Sequence, residues 1–109
     1  MEETTGFAVV LVTASGLEEG NKITAAILAK RLAACVNIVP KISSLFWWHG
    51  KIDAADEVLL IIKTRSSRIK DIIAEVKSIH SYSVPEVIAL PVMAGNSDYL
   101  DWIAGEVVE

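Results

Sequence analysis

The chain has 109 residues and a mass of 11.8 kDa, which predicts a single domain over residues 1–109. Hydrophobic residues make up 52% of it and the mean hydropathy is +0.44, yet apolar runs such as Val58–Ile62 are far shorter than the roughly 20 residues of a membrane-spanning helix. The shortness of these runs excludes a membrane-spanning helix. The net charge is -4 and the ten Lys and Arg are scattered, which argues against nucleic acid as a partner. The apolar excess instead predicts an oligomer whose subunits share apolar faces.

Two features of the sequence indicate a reducing compartment. Residues Met1–Gly6 are acidic and lack the basic segment of a signal peptide. The single cysteine, Cys35, cannot form a disulfide within the chain. We therefore expect a cytoplasmic protein.

The first part of the chain predicts a strand and a helix. Phe7–Thr13 is apolar and rich in β-branched residues, which favours a buried strand. Glu18–Ala34 has acids near its start and bases near its end, the order that the helix dipole favours. Gly20 is expected to weaken the first turns of this helix.

The middle of the chain predicts a long hairpin. Pro40 interrupts a second strand that begins at Cys35, and extended structure resumes over Ile42–Trp48; a proline inside a strand indicates an edge or a bulge. His49-Gly50 is typical of a tight turn. We expect Asp53–Asp56 to be irregular and at the surface, and Val58–Thr64 to form a buried strand.

The last part predicts a helix, a strand and a short final helix. Ser66 or Ser67 can cap the first helix, whose apolar residues recur with the clearest amphipathic spacing in the chain: Ile69, Ile72, Ile73, Val76 and Ile79. A strand over Val87–Val92 and a helix over Asp98–Val107 follow.

The order of elements predicts the fold class. The predicted order is strand, helix, two strands, helix and strand, followed by an extra C-terminal helix. This order indicates an α+β ferredoxin-like βαββαβ sandwich with an antiparallel sheet. Both helices pack on one face of that sheet. The strands are apolar in continuous runs, which indicates burial on both faces, so other subunits are expected to cover the second face.

A polar joint links the second long helix to the last strand. It places His80, Tyr82 and Glu86 within seven residues, where binding groups are often held. His80 can cap the helix or serve in a ligand site, with Tyr82 and Glu86 as further donors to a metal. Cys35 can be a buried packing thiol or a ligand for a soft metal, while the absence of Cys-x-x-Cys and His-x-x-x-His argues against structural zinc.

Three further residues are candidates for a ligand cleft. Glu57 and Lys63 are six apart and so point to the same face of the sheet, where they reach solvent or line a cleft. Trp48, with its neighbour Trp47, is expected to be in the core, at an interface or stacked on a ligand. No nucleophile elbow, phosphate loop or catalytic triad spacing occurs, so we do not expect an enzyme.

Several motifs resemble one known family. They are Arg31-Leu32-Ala33-Ala34-Cys35-Val36-Asn37-Ile38, Trp48-x-Gly50-Lys51, Ile62-Lys63-Thr64, His80-x-Tyr82-x-x-Pro85-Glu86, Leu90-Pro91-Val92 and Tyr99-Leu100-x-Trp102-Ile103. In order and spacing they resemble the CutA family of divalent-cation-tolerance proteins. The resemblance implies a ferredoxin-like protomer in a tight homotrimer, a cytoplasmic role linked to metal tolerance, and copper binding in some members. We also expect heat resistance, because unfolding would expose several shared apolar faces at once.

The chain departs from the family pattern at its joint. Ser81 stands where the family usually has proline. Some bacterial members hold copper through a cysteine late in the first strand and two adjacent histidines, and the matching positions here are Val12, Ile79 and His80. We therefore expect copper or another divalent cation to bind weakly, if it binds.

The candidate sites fall into two groups. The metal candidates are His80, Glu86 and Cys35, and the candidates for an inter-subunit ligand cleft are Trp48, Glu57, Lys63 and Tyr82. We predict a homotrimeric metal-tolerance protein that binds a metal ion or a small ligand. A trimeric signalling module for a small metabolite and a non-catalytic scaffold are the alternatives.

Overall fold

The computed structural model describes residues 5–108. The elements, in chain order, are β1 (Phe7–Ala14), α1 (Leu17–Ala29), β2 (Cys35–Trp48), β3 (Lys51–Arg65), α2 (Ile69–Ile79), β4 (Val87–Pro91) and α3 (Ser97–Glu106). A short 3-10 turn, Ser66–Arg68, leads into α2. Residues 1–4, on which the signal-peptide argument rests in part, lie outside the described residues.

The strands form one antiparallel sheet in the order β2-β3-β1-β4. The long hairpin β2–β3 and the two crossovers through α1 and α2 produce this order, as the element sequence predicted. The α+β fold with a four-stranded antiparallel sheet and an added C-terminal helix is therefore confirmed.

One face of the sheet carries the core. The even-numbered residues of β1 and β3 point to the helices and are buried, among them Val10, Val12, Leu60 and Ile62. The helices contribute fully buried side chains to this core: Ile23 and Ile27 on α1, and Ile72 and Val76, at the predicted spacing, on α2. The amphipathic pattern of α2 thus predicted its buried face correctly.

The opposite face, called here the open face, is apolar but only partly covered in one protomer. It presents the odd-numbered residues of β1 and β3, including Leu11 and Ile61, which are half-buried. On the edge strand β4, Ile88 and Leu90 are 52% and 50% exposed. Helix α3 closes one end of this face, where Arg65 Nη2 donates to the Ala104 carbonyl at 2.8 Å.

Helix α1 is shorter and closer to the sheet than the sequence suggested. It ends at Ala29 rather than Ala34, and Arg31 turns the chain with a positive φ of 54°. Gly20 is buried against β3, where a Cβ would meet Val58 Cγ2 at 2.9 Å. This glycine therefore permits close packing of α1 on the sheet, and the missing side chain is a requirement of the fold.

The β2–β3 hairpin extends beyond the sheet as an arm, defined here as residues 42–56. His49 and Gly50 both have positive φ, 50° and 77°, which confirms the tight turn of the primed type. Residues Asp53–Asp56 were predicted to be irregular, which is wrong: they pair with Ser43–Phe46 in a continuous ladder. The arm is therefore a two-stranded ribbon to its tip.

Pro40 lies in a β-bulge on the edge strand, as predicted. The register shifts between Val39 and Ile42, so the alternation of side chains changes phase there. As a result Phe46 and Trp48 point to the same side as the open face, while Trp47 points to the helix side. The bulge thus determines that Trp48, and not Trp47, is on the open-face side of the arm.

Candidate functional site

The joint begins where α2 ends. His80 leaves the helix with an extended backbone (φ -64°, ψ 140°), and its side chain is fully buried. Its Nε2 lies 2.7 Å from the Thr13 carbonyl oxygen, and its Nδ1 accepts the backbone N–H of Tyr82 at 3.0 Å. A ring that donates from Nε2 and accepts at Nδ1 is neutral imidazole, with both nitrogens occupied by the backbone.

Glu19 of α1 binds the joint through a hydrogen bond from Ser81, and it also accepts hydrogen bonds from Ser15. One carboxylate oxygen accepts the backbone N–H and hydroxyl of Ser15 at 3.0 and 3.1 Å, and the other accepts the Ser81 N–H at 2.7 Å. Burial acts to raise the pKa of Glu19, but the hydrogen bonds from Ser15 and Ser81 outweigh it and lower the pKa to about 2. The Glu19 charge also lies 3.7 Å from His80 Nδ1.

Tyr82 connects the joint to the base of the arm. Its hydroxyl donates to Glu57 Oε2 at 2.9 Å, and its ring lies 4.6 Å from the His80 ring between centroids. Burial raises the pKa of Tyr82 to about 12, with further contributions from the Glu57 hydrogen bond and charge and from the Glu19 charge. The phenol therefore stays a hydrogen-bond donor to Glu57 at neutral pH.

A cleft of about 820 Å³ lies between the arm and the joint, within the size range of small-molecule sites. We call it the arm cleft. Its walls carry carboxylates, aromatic rings and hydroxyl groups from β2, β3 and the joint. The polar and aromatic side chains that line it are those of Thr13, Ser43, Ser44, Phe46, Trp48, Asp53, Glu57, Tyr82, Ser83 and Glu86.

The structure brings several predicted site residues together. Trp48, Glu57 and Tyr82 line the arm cleft, and so does Glu86, which was expected to bind a metal. His80 lies behind Tyr82, in contact with its ring and backbone. Four of the predicted residues therefore line one cleft within a single protomer, and the cleft between subunits stays a prediction.

Two candidates lie elsewhere. Lys63 shares the face of Glu57, as predicted, but six residues of strand separate the two by about 20 Å, and its Nζ donates to Asn37 Oδ1. Cys35 pairs with Lys63 at that same distant end of the sheet. There burial, the Cys35 charge and a hydrogen bond with Cys35 raise the pKa of Tyr99.

The predicted metal ligands do not fit a site within one protomer. Within residues 5–108, no three His, Cys, Asp or Glu side chains are grouped so that they could hold an ion. Val12 is in the core and Ile79 packs against it. A metal at His80 would first have to displace a backbone hydrogen bond from one of its nitrogens.

Sequence reasoning missed three residues of this region. Glu19 follows Ser15 by four positions at the start of α1, a spacing that suggests a helix-start contact but not the contact with Ser81, 62 positions away. Asp53 was assigned to an irregular segment, and the bulge phase that turns Phe46 to the cleft is not visible in the sequence. Each miss concerns a partner distant in the chain.

Comparison with known families agrees with the fold. A family model described as CutA1 divalent ion tolerance protein matches residues 8–106. The chain belongs to this family. The resemblance to the CutA family that the sequence motifs indicated is therefore confirmed.

The relatives include proteins of plants, animals and prokaryotes. The chain is 49% identical over 100 residues to the divalent-cation tolerance protein CutA of Archaeoglobus fulgidus, covering 92% of this chain and 96% of that one. It is 48% identical to the chloroplastic CutA 1 of Oryza sativa over 93% of its own length, but spans only 57% of the rice protein. Because relatives are named chloroplastic or, for a solved Archaeoglobus structure, periplasmic, the cytoplasmic location stays a prediction.

Solved CutA structures have the same fold. The crystal structure of CutA1 from Oryza sativa superposes with a TM-score of 0.93 at 47% identity, over 97% of both chains. The Thermus thermophilus protein gives 0.91 at 40% identity, over 94% of this chain and 99% of that one. Among the described residues, no helix has the length and apolar character needed to span a membrane.

Proposed function

We propose that this CutA chain acts in divalent-cation tolerance as a homotrimeric binding protein, and that the arm cleft is its working site. The observation that carries the proposal is the convergence of Glu57, Tyr82, Glu86 and Trp48 on one cleft beside the open face. Binding, not catalysis, is the proposed activity, because both ring nitrogens of His80 are engaged by backbone groups.

The exposed apolar residues of the open face support the proposal that the chain forms a trimer. Ile88 and Leu90 are half-exposed on β4, and their neighbours across the sheet are apolar as well. A patch of this kind in a small soluble protein favours burial against another subunit. Because the cleft side of the arm continues this face, a neighbouring subunit would border the arm cleft.

The ligand we propose is a small molecule, with direct copper binding at His80 as the less favoured alternative. Copper would need an imidazole nitrogen that is free, and both nitrogens of His80 are engaged with Thr13 and Tyr82. A role in cation tolerance then depends on what the arm cleft binds. The Glu57–Tyr82 hydrogen bond on the cleft wall places polar groups where a ligand could meet them, which favours a binding site over a pure scaffold.

Light scattering tests the assembly. We expect a mass of about 35 kDa, three times 11.8 kDa, at micromolar concentration, and a melting temperature above the ordinary range of about 45–65 °C. Ile88→Asp with Leu90→Asp should give a monomer, because two charges cannot be buried unpaired in an apolar interface. A matched control, Leu28→Asp, places a charge on an exposed residue of α1, on the helix side of the sheet, and should leave the mass unchanged. A monomer for the parent chain would refute the trimer.

A further inference from the structure

We propose that His80 is a pH-sensitive latch on the joint. Protonation of its Nδ1 exchanges the hydrogen bond from the Tyr82 backbone for one to Glu19, and this exchange releases the joint from the rest of the protomer. The latch is independent of the ligand that the arm cleft binds. It also lies inside one protomer, because the His80 side chain has no exposed surface that a neighbouring subunit could touch.

The first observation is that the hydrogen bonds of His80 fix a neutral ring. Its Nε2 lies 2.7 Å from the Thr13 carbonyl oxygen, which can only accept, so Nε2 carries the ring proton. Its Nδ1 accepts the Tyr82 backbone N–H at 3.0 Å and therefore carries none. Both partners are backbone groups with fixed roles, and the latch needs no metal ion.

The second observation is that a protonated ring conflicts with this arrangement. The additional proton has to be on Nδ1, where it would face the Tyr82 N–H across 3.0 Å, and two donors cannot share one hydrogen bond. Imidazole is the side chain that ordinarily changes its charge between about pH 5 and pH 8. The hydrogen bond from the Tyr82 backbone therefore belongs to the neutral ring alone.

The third observation is an acceptor already in place for the new proton. Glu19 Oε1 lies 3.7 Å from His80 Nδ1, too far for a hydrogen bond but close enough to form one after a small movement of the ring. With a pKa of about 2, Glu19 is ionised wherever an imidazole titrates. A charged N–H forms its strongest hydrogen bonds with carboxylates, so protonated His80 gains in Glu19 what it loses in Tyr82.

The groups that face His80 come from three elements besides α2. Glu19 faces it from α1 and the Thr13 carbonyl from β1, while the Tyr82 ring of the joint lies 4.6 Å away between centroids. The Tyr82 phenol stays neutral, since its pKa is raised to about 12, and it donates to Glu57 of β3 at 2.9 Å. The charged groups on these elements are thus two carboxylates, Glu19 in direct reach and Glu57 behind the phenol, and both attract a positive ring.

The exchange has a consequence for the cleft wall. Tyr82 loses the hydrogen bond that holds its backbone beside the end of α2, and the same residue positions its phenol on Glu57 in the arm cleft. Ser83 and Val84, which follow it, are exposed, Val84 by 79%, so packing adds little to hold this segment. Low pH therefore favours a joint whose Tyr82 backbone is released.

The test is a pH titration of the full chain, labelled with ¹⁵N, from about pH 8 to about pH 5. The ring nitrogen signals report protonation of His80, and amide hydrogen exchange, corrected for its intrinsic pH dependence, reports the Tyr82 N–H. We expect the protection of Tyr82 to fall at least about tenfold, with the midpoint of the His80 ring, while the buried Ile62 stays protected. His49 is the second histidine and is exposed in the turn, so His49→Asn should change neither signal.

Two variants separate the ring from its acceptor. In His80→Asn the side-chain oxygen can replace Nδ1 as acceptor for the Tyr82 N–H but takes up no proton, so the protection of Tyr82 should no longer depend on pH. Glu19→Gln removes the charge that receives the new N–H, so the midpoint of the parent titration should move to lower pH. If His80→Asn does not fold, the ring signals of the parent and of Glu19→Gln decide.

Four results would overturn the latch. They are a His80 ring that stays neutral down to about pH 5, a Tyr82 amide that loses its protection equally in His80→Asn, an unchanged midpoint in Glu19→Gln, and a joint loss of protection at Tyr82 and Ile62. The last result would mean general unfolding and not a local release. None of them bears on whether the arm cleft binds a ligand, so the proposed function is tested separately.

Discussion

Glu19 on the first helix accepts the backbone N–H of Ser81 at 2.7 Å, although 62 positions separate them in the chain. This contact ties the start of α1 to the joint that carries Tyr82. Since Tyr82 in turn donates to Glu57 at 2.9 Å, the position of the cleft wall depends on a carboxylate that does not line the cleft.

Replacing Glu19 should destabilise the fold. In Glu19→Gln one amide nitrogen must face a donor, either Ser15 or Ser81, whichever way the side chain turns. We expect a loss of about 2 kcal/mol in the free energy of unfolding, measured by chemical denaturation at fixed protein concentration. Glu18→Gln removes the same charge from the same helical turn at an exposed position and should cost little. Equal stability of the two variants would contradict a stabilising role for the hydrogen bonds that Glu19 accepts from Ser15 and Ser81.

The same carboxylate should make stability depend on acid pH. The pKa of Glu19 is about 2 in the folded protein against an ordinary value of 4.5, so the unfolded chain binds the proton more readily. Its contribution is complete above pH 4.5 and is lost as the pH falls toward about 2. The stability difference between the parent and Glu19→Gln should therefore shrink between about pH 6 and pH 3. A difference that stays constant over this range would refute the assignment.

Gly20 should not tolerate a methyl group. An added Cβ would lie 2.9 Å from Val58 Cγ2, and Val58 is itself buried in the core. We expect Gly20→Ala to lower the free energy of unfolding by about 1–2 kcal/mol, because overpacking outweighs the gain in helix propensity. Gly105→Ala in α3 has no atom within 4 Å of the new Cβ and should be neutral or stabilising by up to about 1 kcal/mol. The reverse ranking would show that α1 can shift away from the sheet.

His80 should matter more for stability than for copper. His80→Ala leaves the Thr13 carbonyl and the Tyr82 N–H without their partner, a cost of about 2 kcal/mol or more. Calorimetric titration with copper at about pH 7.5 and pH 5.5 should give equal affinities for the parent and the variant, since no imidazole nitrogen is free. A tenfold loss in the variant, with a matching loss at the lower pH, would make His80 a ligand. Cys35→Ser with Cu(I) under reducing conditions would then show whether Cys35 acts with it.

The sequence predicted those features that depend on neighbours in the chain. The spacing of Ile72 and Val76 identified the buried face of α2, and His49-Gly50 identified the turn at the tip of the arm. The order of elements then predicted the sheet, because short connections and antiparallel pairing leave few alternatives. The residues of the joint were also found, since they are consecutive.

Contacts between distant segments were not predictable in this way. Lys63 was placed with Glu57 because both point to one face, but strand length separates them by about 20 Å. Trp48 and Trp47 are adjacent, and only the register shift at Pro40 decides that Trp48 faces the cleft. The Glu19–Ser81 contact requires the three-dimensional packing of α1 beside the joint.

The central claim, that this CutA chain serves divalent-cation tolerance through its arm cleft, is tested most directly by growth in copper. A copper-sensitive bacterial strain without its own CutA would express the parent, Trp48→Leu with Glu57→Gln, or Trp47→Leu with Asp56→Asn, at equal protein levels. We expect the parent and the second variant to restore growth and the first variant to fail, because only the first changes the cleft lining. Restoration by all three proteins would contradict the account.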